Sequence, residues 1–378
     1  MLINIYQETG PDNIAPVATD ISLRFPAVNA FYVEWKRKAF DSGSFRVRIP
    51  TGLVERLWPT KFLVEIADRI ALSPTTRVIP EIGVVFKMKT HKGSDGEYTE
   101  LSGVFGEGIW GFTNTTRGTG SSYGGWYIDQ PSGAKVLSAM LNSTGDKYMT
   151  GLPRYTKTML AYENWGGRTR YTFGSPTVME DAIYDLCKKN DRLFRVPLFK
   201  VESGLYQLMP QTQAIFDNTG YVFSEANGNV LSADFEHDTS TQASWLKGFN
   251  AEAKRESMAK CAGHKWQTTY AFEWNEDVSD LMGNETTQEA CDAAAALRSY
   301  NYNSTPTISL DVSAEDYRDR WDLGDRVTYD VLGYTGTEII TEVNESYSGS
   351  DVSIGVTIGA ASPTRMQRLN KNVGKSYT

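Results

Sequence analysis

The strongest constraint on the fold lies in residues 321–343, where turn chemistry is followed by two stretches of alternating apolar and polar residues. The segment 323–325 reads Leu-Gly-Asp, a composition typical of turns, and Val327 and Tyr329 alternate with polar residues after it. The residues that alternate in the returning stretch are Ile339, Thr341 and Val343. A period of two in both stretches predicts a β-hairpin. It contains no nucleophile, general base or metal-ligand cluster.

Length and composition allow several folded cores but argue against nucleic acid as a stably bound partner. The 378 residues are 40% hydrophobic and include 16 Phe, 20 Tyr and 9 Trp, which is enough for two or three cores. The 46 acidic residues exceed the 38 basic ones, and the acid excess is dispersed along the chain. Stable nucleic-acid binding needs concentrated Lys and Arg, so we expect none. An acidic wall would still permit transient passage of DNA, because it repels phosphates.

Cysteine usage and the first residues suggest synthesis in a cytoplasm. Cys187, Cys261 and Cys291 are odd in number and widely spaced, which predicts free thiols and no disulfide framework. Residues 1–8 lack the basic and apolar regions of a signal peptide. We find no apolar run of about 18 residues, and so expect no spanning helix.

Two β-hairpins are predicted in an N-terminal β module, residues 1–105. Residues 31–35 alternate, a turn follows at 41–44, and Phe45, Val47 and Ile49 alternate back. A second pair is expected at 76–89 and 98–105. Neither hairpin could stand alone in water, so both should belong to a larger sheet.

The middle of the chain is predicted to differ from the module before it. Residues 106–169 are rich in Gly, Ser and Thr, which favours a long loop or inserted subdomain. An alternative is a segment that orders against a neighbouring subunit, since Trp110 and Trp126 lie in it. Residues 170–220 are expected to form a helix-plus-strand segment.

Two helices are predicted from their capping signals. The first starts at 175–177, where Thr177 and Glu180 have capping-box spacing. The second, residues 286–300, starts with a Thr286–Glu289 box. It lies inside a C-terminal β module, 221–360, which is followed by a polar tail, 361–378.

The candidate catalytic and cofactor motifs lack the neighbouring residues that their chemistry requires. Residues 106–111 match a dinucleotide-binding fingerprint, but turn residues follow where a helix is required. Cys261 and His264 supply only half of a zinc site. The carboxylates near the predicted hairpin are expected to mark turns and one solvated face; they are Asp319, Asp322, Asp325 and Asp330. We therefore predict no cofactor, no metal and no enzymatic activity.

Three blocks of the sequence carry a family resemblance. They are residues 170–199 with a predicted helix, residues 221–235 with Phe223-Ser224 and Gly228-Asn229-Val230, and residues 317–359 with Trp321-Asp322-Leu323-Gly324-Asp325. In this order they resemble the hub proteins at the tip of long, non-contractile phage tails, which are similar to the hubs of contractile tails. Val230 stands where leucine is usual, Trp321 replaces a tyrosine, and Arg326 is inserted before Val327.

The resemblance implies a phage tail-hub fold that is mainly β with α+β parts. It would contain two tube-like β-barrel or sandwich modules plus smaller inserted domains. It also implies interface or structural roles for Phe223, Gly228, Asn229, Trp321, Asp322, Leu323, Gly324 and Asp325.

The resemblance further implies a homotrimer at the virion tail tip, made in the host cytoplasm. Such a hub closes the tail tube, docks on the distal tail protein ring and contacts the tape-measure protein. It also contacts adhesion or central fibre proteins, and it opens for DNA ejection.

Two other functions remain open at the level of sequence. The aromatic content, with Trp110 and Trp126 in a Gly/Ser/Thr-rich context, is compatible with a carbohydrate-binding or cell-wall-degrading tail-tip protein. A distal-tail or connector ring, with six copies rather than three, is the third possibility.

Overall fold

The computed structural model describes most of both β-rich parts of the chain. The described residues are 2–10, 13–22, 32–51, 62–66, 82–94, 96–106, 108, 126–130, 169–173, 179–200, 206–208, 210–236, 244–261, 273–282, 285–299, 307–348 and 351–359.

The described chain is mainly β, as predicted. Its first strands are β1 (Leu2–Gly10), β2 (Asn13–Ser22), β3 (Tyr32–Lys38), β4 (Ser44–Ile49), β5 (Phe62–Ile66), β6 (Ile82–Gly93), β7 (Gly96–Phe105), β8 (Trp126–Gln130) and β9 (Thr169–Phe173). The central strands are β10 (Arg192–Arg195), β11 (Leu198–Lys200), β12 (Tyr206–Leu208), β13 (Gln211–Ala214), β14 (Asp217–Ser224) and β15 (Val230–Glu236). The last strands are β16 (Trp245–Asn250), β17 (Arg255–Lys260), β18 (Glu273–Asp277), β19 (Thr307–Val312), β20 (Arg326–Val331), β21 (Tyr334–Ser348) and β22 (Asp351–Gly359). The helices are α1 (Met179–Lys189), α2 (Ser279–Met282) and α3 (Gln288–Ser299).

One strand, β21, connects the two β-rich parts of the chain. Its first half pairs with β20, whereas residues 342–348 pair with β3 on one side and with β22 on the other. The described sheet therefore runs in the order β11-β12-β2-β1-β5-β6-β7-β4-β3-β21-β22-β19-β15 without a break in hydrogen bonding. The predicted division into domains stays a prediction.

The β21 strand also contributes to two separate hydrophobic cores. The Trp35 core consists of Ile5, Val33, Trp35, Phe45, Val47, Ile49, Val64, Leu101 and Phe105. The Trp321 core consists of Ala39, Leu193, Tyr221, Phe223, Val230, Ile308, Leu310, Val312, Tyr317, Trp321, Leu323, Val327, Tyr329, Val331, Ile340, Val343, Ile354, Val356 and Ile358. Tyr347 of β21 packs on the first core, while Ile340 and Val343 belong to the second. Burial of each large apolar side chain stabilises the fold by about 1.5–3 kcal/mol.

All three predicted hairpins are confirmed. The first joins β3 to β4, with Phe45, Val47 and Ile49 buried as their alternation predicts. The second joins β6 to β7, and the third joins β20 to β21 with Val327 and Tyr329 buried.

The predicted alternation on the returning strand is wrong at two positions. Ile340 is fully buried, whereas Ile339 and Thr341 are half-buried. The register with β22 shifts between Ile340 and Glu342, which is a β-bulge. Because a bulge inserts one extra residue, the inward-facing residue after Ile340 is Val343 rather than Glu342.

The two predicted helices are confirmed, but one cap is displaced. Helix α1 buries Ile183, Leu186 and Cys187, and its predicted cap at Thr177 lies outside the described residues. In α3 the backbone N–H of Ala290 donates to Thr287 Oγ1 at 3.2 Å. Thr287 is thus the N-cap, one residue after the predicted Thr286, and no box with Glu289 forms because Ala290 holds the reciprocal position.

Helix α3 covers one face of the three-stranded sheet β17-β16-β18. A small core lies between them and contains Val278, Met282, Cys291 and Ala294. None of the three cysteines forms a disulfide with another described residue, as predicted, and all three are buried.

Several predictions fall outside the described residues. They concern most of the Gly/Ser/Thr-rich segment 106–169, the tail 361–378 and His264.

Two glycines have a positive φ but differ in the space that a side chain would find. Gly324 has φ +86°, and a Cβ there would lie 2.2 Å from Leu193 Cδ1. Gly333, at the tip of the β20–β21 hairpin, has φ +77° and no heavy atom within 4 Å of a built Cβ.

We predict that alanine is tolerated far better at Gly333 than at Gly324. Gly333→Ala should lower the free energy of unfolding by about 1 kcal/mol through backbone strain. Gly324→Ala adds overpacking against Leu193, worth about 1–3 kcal/mol more. Urea titrations of the two variants measure the difference, and equal losses would contradict the steric argument.

Candidate functional site

A buried ionic network lies where β3, β21 and the segment before β20 meet. Its members are Arg37, Tyr317, Arg318, Asp322 and Glu345, and the directly bonded pair Arg37–Asp322 is 285 residues apart in the sequence. Glu345 is fully buried, and Arg37 is 3% exposed. A buried charge is costly unless it is paired, so the partners of each group decide whether the network is tolerated.

Arg37 holds the first half of the network. Its Nη1 donates to Asp322 Oδ1 in a close ion pair and to the Tyr317 hydroxyl at 2.8 Å. Its Nη2 reaches Asp322 Oδ2 at 3.4 Å. The backbone N–H of Leu323 donates to Asp322 Oδ1 at 2.7 Å. The carboxylate is thus held by a two-pronged guanidinium and one peptide group.

Glu345 holds the second half. Its Oε1 accepts hydrogen bonds from the Tyr317 hydroxyl and from Arg318 Nη2, the latter at 2.9 Å. Its Oε2 accepts from the Tyr347 hydroxyl at 3.1 Å. Two cations and two carboxylates therefore compensate each other. Since Arg37 is on β3 and Glu345 on β21, the network fixes the junction of the two cores.

Ionisation within the network follows from these partners. Burial opposes the charged form of Asp322, but Arg37 and Arg318 outweigh it and lower the pKa of the carboxyl. Burial raises the pKa of Tyr317, so its hydroxyl remains a donor at neutral pH. Burial disfavours the Arg318 cation, but Tyr317 and Glu345 outweigh that effect and raise its pKa. These shifts keep Asp322 and Arg318 charged and Tyr317 neutral near neutral pH, so the network suits a structural role rather than proton transfer.

The loop 322–325 is closed by its own acidic residues. Asp325 Oδ2 accepts from the backbone N–H of Asp322 at 3.2 Å and from Asn218 Nδ2 at 3.1 Å. The N–H of Gly324 donates to the carbonyl of Ile340 at 2.9 Å. Asp322 and Asp325 are 9% and 4% exposed, so the expectation of a solvated face is wrong for both. Asp319 and Asp330, by contrast, are exposed.

An aromatic cluster packs beside the network. Trp321 contacts Tyr317 with ring centroids 4.8 Å apart and Phe223 at 5.2 Å. Tyr221 completes the cluster at 5.1 Å from Phe223. Phe223, Trp321 and Leu323 are buried. These three predicted site residues thus lie inside the chain rather than on its surface.

Gly228 and Asn229 form the connection between β14 and β15. Gly228 is exposed and has φ +69°. The Asn229 amide donates to the carbonyl of Val222 at 2.9 Å, and its Oδ1 accepts from the N–H of Ser224 at 3.0 Å. This side chain thereby satisfies backbone groups that β14 leaves open, as a neighbouring strand would do.

The structure brings most predicted site residues to one region and adds four network members that the site prediction missed, namely Arg37, Tyr317, Arg318 and Glu345. Arg37 and Glu345 were overlooked because charged residues are expected at the surface. Their positions on the strands are a usable signal. Arg37 follows buried Val33 and Trp35 at every second position, and Glu345 follows buried Val343 in the same way, so each falls on the inward face.

The motifs considered for cofactors occupy packed positions where they are described. A Cβ on Gly106 would lie 2.8 Å from the Val196 carbonyl oxygen, and one on Gly108 would lie 2.6 Å from Val104 Cγ2. Burial raises the pKa of the Cys261 thiol, which disfavours the metal-binding thiolate. Within the described ranges, no group of three or more His, Cys, Asp or Glu could hold a metal ion. No helix of the described chain has the length and apolarity to cross a membrane.

The part of the chain that contains most of the site residues matches a known protein family. A family model described as Siphovirus ReqiPepy6 Gp37-like protein matches residues 143–360, more than half of the chain. The chain belongs to this family. No protein of curated function matches the sequence.

Solved structures of prophage tail proteins share the fold over nearly the whole chain. The 43 kDa tail protein of prophage MuSo2 from Shewanella oneidensis is 12% identical, with a TM-score of 0.54 over 95% of this chain and 98% of that one. A tail protein from Neisseria meningitidis MC58 is 11% identical, with a TM-score of 0.56 over 95% and 96%. Prophage tail protein gp18 from Listeria monocytogenes EGD-e is 10% identical, with a TM-score of 0.50 over 99% of each chain. This family member therefore has the fold of phage tail structural proteins.

We predict that Asp322→Asn lowers the free energy of unfolding by about 3 kcal/mol at neutral pH, because it leaves Arg37 without its counter-charge. The pKa of Asp322 is lowered in the folded state, so its stabilising contribution is complete above the unfolded value of about 3.9 and is lost as pH falls through the folded value.

The gap in urea midpoint between wild type and Asp322→Asn should accordingly be constant above about pH 5 and shrink in acid. Asp319→Asn, at an exposed position, is the matched control and should change stability by less than about 0.5 kcal/mol. A gap that persists unchanged in acid would show that the charge of Asp322 contributes nothing.

Proposed function

We propose that the chain is a subunit of the tail-tip hub of a long-tailed phage and acts mechanically rather than as an enzyme. The observation that carries this proposal is the junction at β21, where one strand serves both cores and a buried ionic network fixes their connection. Family membership and the fold shared with prophage tail proteins support the same assignment.

The junction suits a part that transmits force between neighbouring proteins. Separation of β3 from β21 would break the buried Arg37–Asp322 pair, which is costly, so the two cores should move as a unit. In the proposed homotrimer, three such units close the tail tube and dock on the distal tail protein ring. They also meet the tape-measure protein and the adhesion or central fibre proteins. The predicted site residues around Trp321 and Asn229 then serve to hold each subunit rigid.

Subunit number is the first test of this proposal. We expect the purified chain to sediment at three times its monomer mass at micromolar concentration. Six copies would favour a connector ring. Monomers that bind glycans or hydrolyse cell walls would favour the carbohydrate-directed alternative.

DNA affinity is the second test, because a hub must let the genome pass without retaining it. We expect negligible binding of duplex DNA at about 0.15 M salt, since the acidic excess repels phosphates. Fluorescence anisotropy with a labelled duplex measures this. Tight binding would contradict a channel that passes DNA freely.

A further inference from the structure

The connection between β14 and β15 contains a reactive pair of residues, Asn227 followed by Gly228. It is the one Asn-Gly sequence in the chain. The side-chain amide of an asparagine is open to attack by the backbone nitrogen of the next residue, and a glycine there has no side chain to obstruct the attack. This pair is therefore the place in the sequence where such a reaction meets the least hindrance.

Both residues are accessible in the folded chain. Asn227 and Gly228 are exposed. Apart from its chain neighbours, no heavy atom lies within 4 Å of a Cβ built on Gly228. The space beside this backbone is open, so the described chain leaves room for a ring to close between the two residues.

Three hydrogen bonds hold the pair in the turn. The backbone N–H of Asn227 donates to Ser224 Oγ at 3.1 Å, and its Nδ2 donates to the carbonyl of Val222 at 3.1 Å. The N–H of Gly228, whose nitrogen would attack, donates to the carbonyl of Glu225 at 3.1 Å. Because the attack needs this nitrogen and the Asn227 amide to turn toward each other, these bonds must open first.

Opening of this turn is a local event. Residues 225–228 are all exposed, and they belong to the connection rather than to either strand. Exposed connections open with much smaller free energies than core strands. The reaction can therefore proceed without unfolding of the Trp321 core.

We propose that Asn227 is a site of spontaneous deamidation whose rate is set by the hydrogen bonds of the turn. The Gly228 nitrogen forms a bond to Asn227 Cγ, the bond from Cγ to Nδ2 breaks, and Nδ2 leaves as ammonia with the proton of the Gly228 nitrogen. Water then opens the resulting succinimide, adding its hydroxyl to one of the ring carbonyl carbons and its hydrogen to the ring nitrogen. Opening at one carbon gives aspartate, and opening at the other gives isoaspartate, whose main chain is longer by a methylene. Water is the only co-reactant.

Either product disturbs the turn. A carboxylate, which only accepts hydrogen bonds, replaces the amide that donates to the Val222 carbonyl, so the two oxygens repel each other. The new negative charge also lies close in sequence to Glu225, whose Oε1 accepts from the backbone N–H of Leu332 at 3.2 Å. Deamidation thus loosens the attachment of the β14–β15 connection to the tip of the β20–β21 hairpin.

In the proposed tail hub the change would accumulate with the age of the particle. A virion protein is not resynthesised after the particle leaves the cell, so converted chains are not replaced. This consequence rests on the proposed function, whereas the reaction itself depends only on the turn.

The experiment ages the purified full-length chain in warm, mildly alkaline buffer, with and without guanidinium chloride. Trypsin releases residues 201–247 as one peptide, which also contains Asn218 and Asn229. Both of these are followed by a β-branched residue, so they are internal controls. Tandem mass spectrometry should find aspartate and isoaspartate at Asn227 but not at the two controls. Conversion should be at least about tenfold faster in guanidinium chloride than in the folded chain.

Two variants test the role of the turn. Ser224→Ala removes the acceptor of the Asn227 N–H and should speed conversion of the folded chain about threefold, with no change in guanidinium chloride. Ser309→Ala, at an exposed position on β19, is the matched control and should leave the rate unchanged. Asn227→Asp imitates one product and should lower the urea midpoint, whereas an unchanged midpoint would overturn the loosening of the connection.

Each remaining outcome bears on one part of the inference. A folded chain without conversion at Asn227, after a time in which the denatured chain is fully converted, overturns the site. Equal rates in the folded and denatured chains, or a rate that Ser224→Ala leaves unchanged, overturn control by the hydrogen bonds. Equal conversion at Asn218 and Asn229 overturns the role of Gly228. None of these results concerns subunit number, so the proposed function stands or falls separately.

Discussion

The pairing of β3 with β21 is the interaction on which the rest of the structure depends. It joins strands from the two ends of the described chain and lets one strand contribute to both cores. Removing it would divide the continuous sheet into two smaller sheets, each with new unpaired edges. The Arg37–Asp322 and Arg318–Glu345 pairs lie beside this strand pairing, so the buried charges are neutralised at the same place where the two parts of the sheet join.

The ionic network contributes specificity more clearly than stability. Desolvation of two guanidinium groups and two carboxylates costs several kcal/mol per ion, and their mutual attraction offsets this only in good geometry. What the arrangement excludes is a shifted register. A one-residue slip of β3 would direct Arg37 to solvent and leave Asp322 and Glu345 buried without it. This constraint suits a protein whose proposed role is to hold neighbouring parts at fixed positions.

Local sequence signals predicted the elements whose partners are close in the chain. The alternation of Phe45, Val47 and Ile49 located a strand, and capping-box spacing located two helices. The β-bulge after Ile340 was missed because it depends on the strand that pairs with β21. The cap at Thr287 was missed because Thr286 and Thr287 are both acceptable caps, and a sequence pattern locates a helix end only to within one or two residues.

The sequence by itself determined the class of fold, the three hairpins and the region that contains the site, because period-two alternation and turn chemistry act over a few residues. The tertiary structure decided that Asp322 and Asp325 are buried, that Arg37 and Glu345 belong to the same network, and that β3 pairs with β21. These features arise from strand order and register across long sequence separations. No local pattern encodes which strands become neighbours, so the burial of a charge and its partner are fixed only when the sheet is assembled.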